Sequence, residues 1–278
     1  MLSNISLYKY DEIPTEYYGY VASTDPTYPA VAFTAPGPSN IVSLYVGTSD
    51  TPTSNAYCPY KYGVSRRYLD LEDIPASGIL EHLRRVYYIR YDDTGGSFAH
   101  LTEEAATSLD FPVTHVAGFS VGSFSYFLTT QPTVYDPQAS STQLISKLSQ
   151  VCHDDEYFDS YVEMRISCQS GAKDYNLVRA ATVLQPGTRL ASRLNVPATE
   201  HLLVAAFYGD PDSALCVYRF TDIRQRFTEN ILACFSNSTL PLGRQFHADV
   251  GTTAKTCIPD SLVGQTLSLF VCRIFLVI

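Results

Sequence analysis

The strongest constraint in this sequence is its rhythm. Runs of six to eight apolar, β-branched and aromatic residues recur along the chain, and each is stopped by turn residues. Such runs lie at 19–24, 30–35, 41–47, 86–91, 113–118, 124–130, 161–167, 177–184, 201–208 and 214–220. Between them stand DPTYP (25–29), APGPS (35–39), DDTGG (92–96) and YGDPDS (208–213), where proline and glycine fix or free φ as turns require. Runs of this length bounded in this way predict strands rather than helices. Two predicted hairpins are tight, one turning at 120–123 and the other at 209–213.

Helical periodicity is rare. The clear case is 221–235, where Ile223, Phe227 and Ile231 fall on one stripe and Thr221 or Asp222 can cap the start. A weaker pattern covers 76–86. Strands and helices do not alternate, which argues against a doubly wound sheet. The aromatic content agrees with an all-β class: 21 Tyr and 14 Phe, side chains that suit a half-buried pleated surface. The class leaves sandwich, barrel and propeller open, and no WD-type repeat chooses among them. A net charge of −9, with no run of Lys or Arg, argues against nucleic acid as a partner.

Of the seven cysteines, Cys58 stands alone and six lie in the C-terminal half: Cys152, Cys168, Cys216, Cys234, Cys257 and Cys272. None forms a CxxC pair, so a zinc ribbon or thioredoxin-like site is excluded. Wide spacing suits long-range disulfides in an oxidising compartment; buried thiols of an intracellular protein are the alternative. Two glycosylation sequons occur, at Asn4 and Asn237, the second within a polar stretch. Residues after Met1 show neither a basic start nor an apolar run, so no secretory leader is visible, and a missing true N-terminus is the expectation. Residues 266–278 are almost wholly apolar but contain Arg273 and are too few to span a bilayer.

Several short motifs imitate catalytic sites. Gly118-Phe119-Ser120-Val121-Gly122 fits G-x-S-x-G, the turn that presents a serine nucleophile between a strand and a helix. Here the following residues, 123–130, are dense in β-formers, so Ser120 is expected in a hairpin without the helix. Asp210 and His247 are the partners that family order would supply. The acidic run at 153–156 (HDDE) reads as a solvated loop, because neighbouring residues point in different directions. DDTGG at 92–96 reads as a turn, since no second copy brings the partner carboxylate of an aspartic protease. His82, His100, His115, His201 and His247 are dispersed, and none is assigned a role. No catalytic, cofactor or metal site is expected, and the chain is not expected to be an enzyme.

A family resemblance chooses among the β architectures. Residues 148–155 (LSQVCHDD) and 158–168 (FDSYVEMRISC) resemble the Cys-Arg-Asp-Asp, Phe-His-Ser-Tyr and closing Cys of plexin sema domains. Residues 175–181 (YNLVRAA) with 185–187 (QPG), and 212–218 (DSALCVY) running into 221–234, resemble later segments of that domain. Upstream, 31–38 (VAFTAPGP), 44–47 (LYVG) and Phe119, Phe127, Leu128, Thr129 and Gln131 resemble earlier blades. The likeness runs over 18–260, leaving 1–17 unassigned and 261–278 as an apolar tail. The hepatocyte-growth-factor-receptor type of tyrosine kinase also carries a sema domain and shares the segment at 160–164 (SYVEM).

The resemblance implies a partial seven-bladed β-propeller with a helical insertion near 221–235. It implies an extracellular, plexin-like receptor segment that recognises a semaphorin, with homo- or hetero-oligomers formed through the propeller. It also implies three disulfides, Cys152–Cys257, Cys168–Cys216 and Cys234–Cys272. A serine hydrolase using Ser120 is the alternative from another class. An incomplete ring leaves two strand edges open, which predicts poor solubility unless they are covered.

Overall fold

The computed structural model describes residues 27–49, 62–68, 98–101, 113–132, 143–155, 160–235 and 247–248. The first sheet contains β1 (Ala30–Pro36), β2 (Val42–Thr48), β3 (Tyr62–Tyr68) and β4 (Phe98–Leu101), each antiparallel to the next. The second contains β5 (Thr114–Val121), β6 (Phe124–Pro132), β7 (Leu144–Cys152) and β8 (Val162–Ile166), in the same meander. A small hairpin, β9 (Cys168–Ser170) with β10 (Lys173–Tyr175), leads to the third sheet. That sheet contains β11 (Leu177–Leu184), β12 (Leu202–Gly209) and β13 (Asp212–Arg219). A two-residue strand, β14 (His247–Ala248), pairs with β4 and extends the first sheet.

The way these sheets meet identifies the architecture. β5, which opens the second sheet, packs against β1, which opens the first, and against β11, which opens the third. The leading strands therefore stand side by side, and each sheet runs outward from them. Radially arranged meanders of this kind are the blades of a β-propeller, and the described residues form three neighbouring ones of a partial ring.

The predicted strands at 30–35, 41–47, 113–118, 124–130, 161–167, 177–184, 201–208 and 214–220 all fall on observed strands. Those at 19–24 and 86–91, and the helix at 76–86, lie outside the described residues. The helix predicted at 221–235 is α2 (Phe220–Phe235), which buries Phe220, Ile223 and Phe227 against the second and third sheets.

The pattern does not reveal helix α1 (Thr188–Leu194), β3 and β7, nor the short strands β4, β9, β10 and β14. Helix α1 interrupts the third sheet and ends where Asn195 takes a left-handed φ of 52°. Val196 N–H then closes the last turn on the Ala191 carbonyl at 3.0 Å. Strands β3 and β7 were missed for a common reason. They bury polar side chains, Ser65 and Arg66 in β3 and Ser146, Lys147, Ser149 and Gln150 in β7, so neither looks apolar. Both hairpins turn more tightly than predicted. Ser120 and Val121 belong to β5, leaving Gly122 (φ 61°) and Ser123 to turn, and β13 already begins at Asp212.

Candidate recognition surface and the seams that hold it

The second blade has two different faces. Toward the third blade it presents Phe119, Tyr126, Leu128, Leu148, Val162 and Met164, which join Val178, Phe207 and Phe227 in one apolar cluster. Aromatic rings bind this seam to α2: the Phe220 ring lies 5.3 Å from Tyr126 and 5.8 Å from Phe119. Burial pushes the Tyr126 hydroxyl above its ordinary value, against the opposing influence of Arg224.

Toward the first blade the same sheet presents polar groups. Lys147 Nζ sits 3.0 Å from Glu163 Oε2, with both residues about as buried as the core. Glu163 also accepts the Tyr161 hydroxyl at 2.7 Å. Arg66, from β3 of the first blade, reaches across and donates to the carbonyl of Asp155 at 2.6 Å. The blades approach closely at two glycines. A Cβ on Gly118 would lie 2.6 Å from the Phe33 ring, and one on Gly47 would run into the His115 ring.

His153 stands at the end of this seam. Its Nε2 lies 3.1 Å from Ser120 Oγ, and its ring centroid lies 6.3 Å from that of Tyr45. Burial holds its pKa below the ordinary imidazole value, and Arg66 pushes the same way. A hydrogen bond with the Phe124 backbone and the charge of Asp154 oppose the shift.

The serine motif can be judged from this geometry. Ser120 is in a strand and is followed by another strand, so the helix N-terminus that completes a nucleophile elbow is not there. The partners suggested by sequence order do not gather around it. Asp210 caps the hairpin of the third blade beside the Tyr208 hydroxyl, and His247 lies in β14 on the outer side of the first. The acidic run also disperses. The Asp155 carboxylate turns back to accept the Ser160 N–H, whereas the His153 ring faces Ser120. Among the other histidines, His115 is buried at the first seam and His201 meets Gln185 at the surface.

Cys168 and Cys216 form a disulfide joining β9 to β13, as the resemblance implied. Cys152 is disulfide-bonded, but the pairing expected for it, with Cys257, lies outside the described residues. Cys234 lies in the last turn of α2. Its expected partner Cys272 and the sequons at Asn4 and Asn237 also fall outside the description.

Comparison with known proteins agrees with this architecture. Residues 178–273 match the Sema domain family. The chain is 32% identical over 200 residues to plexin-A4 of Danio rerio, covering 65% of this chain and 10% of that protein. It is 32% identical over 195 residues to plexin-A4 of Homo sapiens, with the same shares covered. The chain thus spans about a tenth of the length of the curated relatives it matches. Its fold superposes on the solved extracellular region of plexin A4 with a TM-score of 0.66 at 23% identity, covering 88% of this chain and 28% of that one. Radial blades, the Cys168–Cys216 bridge and these matches together make the chain similar to part of a plexin sema domain.

Proposed function

We propose that this chain is the recognition segment of a plexin-type receptor outside the cell, and that its ligand is a semaphorin. The similarity to plexin-A4 across 200 residues carries the reading. The fold suits the task. A propeller presents loops and strand edges on a rigid frame, so recognition rests on an exposed protein surface. The net charge of −9 and the cross-linked cysteine fit a secreted protein-binding module rather than a nucleic-acid binder. The reading concerns recognition alone.

The direct test passes a dimeric semaphorin ectodomain over the immobilised, disulfide-intact secreted chain. Saturable binding that disappears on reduction is expected. Absence of binding at about 100 µM, equivalent to about −5.5 kcal/mol, would remove the semaphorin assignment. Binding to hepatocyte growth factor instead would move the chain to the tyrosine-kinase receptor branch that shares 160–164. A fluorophosphonate probe is expected to leave Ser120 unlabelled. Labelling abolished by Ser120→Ala would restore the hydrolase alternative.

A further inference from the structure

The seam between the first and second blades gathers titratable groups that the seam with the third blade does not. His115 on β5 and His153 after β7 are both buried there. The His115 ring stands edge-on to Phe127 at 6.1 Å, and Gly47 of β2 backs onto it. His153 faces Tyr45 of β2 and Ser120 of β5. The apolar cluster of the other seam holds no histidine among its described residues.

The same seam already buries two cations, Arg66 and Lys147. Arg66 lies 3.5 Å from the His153 carbonyl and reaches on to that of Asp155, with its guanidinium 5.9 Å from the centre of the Tyr45 ring. Lys147 shares a cross-strand row with His115, since His115 pairs with Thr129 and Thr129 with Lys147. Paired residues share a face of the sheet, so Lys147 stands two strands, about 10 Å, from His115. The buried carboxylates are committed. Glu163 meets Lys147 and Tyr161, and Asp155 accepts the Ser160 N–H. Burial disfavours the charged form of His153 and Arg66 acts the same way, against the Phe124 backbone and the charge of exposed Asp154. The closed seam therefore binds fewer protons at His153 than an open one, and falling pH favours opening.

We propose that the joint between the first and second blades is acid-operated: protons taken up by His115 and His153 loosen it, while the joint with the third blade stays closed. Ordinary imidazoles gain a proton near pH 6.5, and carboxylates stay ionised well below that. Each proton adds positive charge to a seam that holds Arg66 and Lys147 and has little carboxylate left to receive it. The joint can yield because its apolar cluster is small, six described buried residues against eighteen in the other. Protonation of buried histidines at an interface is a general way to switch it between pH 5 and 7. The device does not involve the ligand, so it holds or fails separately from the semaphorin reading.

The test is amide exchange of the full, disulfide-intact chain at pH 7.5 and 5.5, corrected for the intrinsic pH dependence of exchange. At pH 5.5 exchange in β2, β3 and 153–155 is expected to rise at least about threefold, with β12 unchanged. His115→Gln with His153→Gln should remove the rise. His153→Lys, charged at both pH values, should show it already at pH 7.5. An intact Cys168–Cys216 bridge and parental exchange in β12 identify the variants that are folded. If the double variant does not fold, His153→Gln alone must reduce the rise. No rise, a rise shared equally by β12, or a rise that survives substitution of the histidines overturns the proposal. So does parental exchange in His153→Lys at pH 7.5. Loss of the rise in His100→Gln with His247→Gln would place the sensor on β4 and β14 and overturn it equally.

Discussion

The two seams of the second blade differ in what fills them. Its contact with the third blade is mainly hydrocarbon and aromatic ring, closed by α2 and by a disulfide and crossed by a hydrogen bond from Val178 N–H to Ser146 Oγ at 2.7 Å. Its contact with the first blade is a small apolar cluster around Tyr45, Phe127 and Val151, surrounded by buried polar side chains. The first kind of seam tolerates shape changes at a graded cost, because hydrophobic burial is non-directional. The second depends on matching donors and acceptors, because a buried charge without its partner is severely penalised. A three-blade arrangement is therefore strong at one joint and specific at the other.

Urea unfolding of the secreted chain can set the two seams against each other. The largest effect is expected at the apolar seam. Removing the bridge by Cys168→Ala with Cys216→Ala releases a loop whose ends are 48 residues apart. Loop-closure entropy then predicts a loss of about 4 kcal/mol. Phe227→Ala, which withdraws the buried ring of α2, should cost about 3–5 kcal/mol, and a loss under about 1 kcal/mol would mean α2 is not anchored there.

At the polar seam, Glu163→Gln leaves Lys147 charged and buried, with an expected loss of about 3 kcal/mol. Lys147→Met combined with Glu163→Leu should recover most of it, since replacing both charges with apolar groups of similar size is often neutral. Failure of the pair to recover would show that the ion pair contributes net stability. Gly118→Ala should cost about 1–3 kcal/mol by driving a methyl into Phe33, and Phe33→Leu should relieve part of that.

The smallest effect is a pH dependence confined to the polar seam. The folded pKa of His153 is depressed below its unfolded value, so the folded state binds fewer protons there. Its neutral form stabilises the fold above the unfolded pKa. That stability is lost progressively as pH falls below about 6.5 toward the folded value. Urea midpoints at pH 7.5 and 5.5 should differ in that direction, and His153→Gln should narrow the gap. An unchanged gap would assign the acid sensitivity to other groups.

These seams also explain what could be read from the residues. β6 and β12 stand out in sequence because most of their residues are apolar or aromatic. β7 is buried along nearly its whole length yet carries Ser146, Lys147, Ser149 and Gln150, and hydrophobic pattern alone cannot reveal a strand whose partners are polar. α2 announced itself by Ile223 and Phe227 on one stripe, whereas the seven residues of α1 show only Leu190 and Leu194. The hairpin that holds Ser120 was legible in the β-formers at 124–130. The nearness of His153 to Ser120 had no sequence signal, because 33 residues separate them.

The residues by themselves determined the β class, most strand positions and the long helix, because backbone preference and side-chain alternation act over a few neighbours. Their motifs also pointed to the sema family and to the Cys168–Cys216 bridge. Only the tertiary structure decided which strands stand side by side, how Arg66 reaches Asp155 and why Lys147 is tolerated in a core. Those outcomes require groups from distant parts of the chain to meet within hydrogen-bonding reach, and that distance is fixed only when the blades pack.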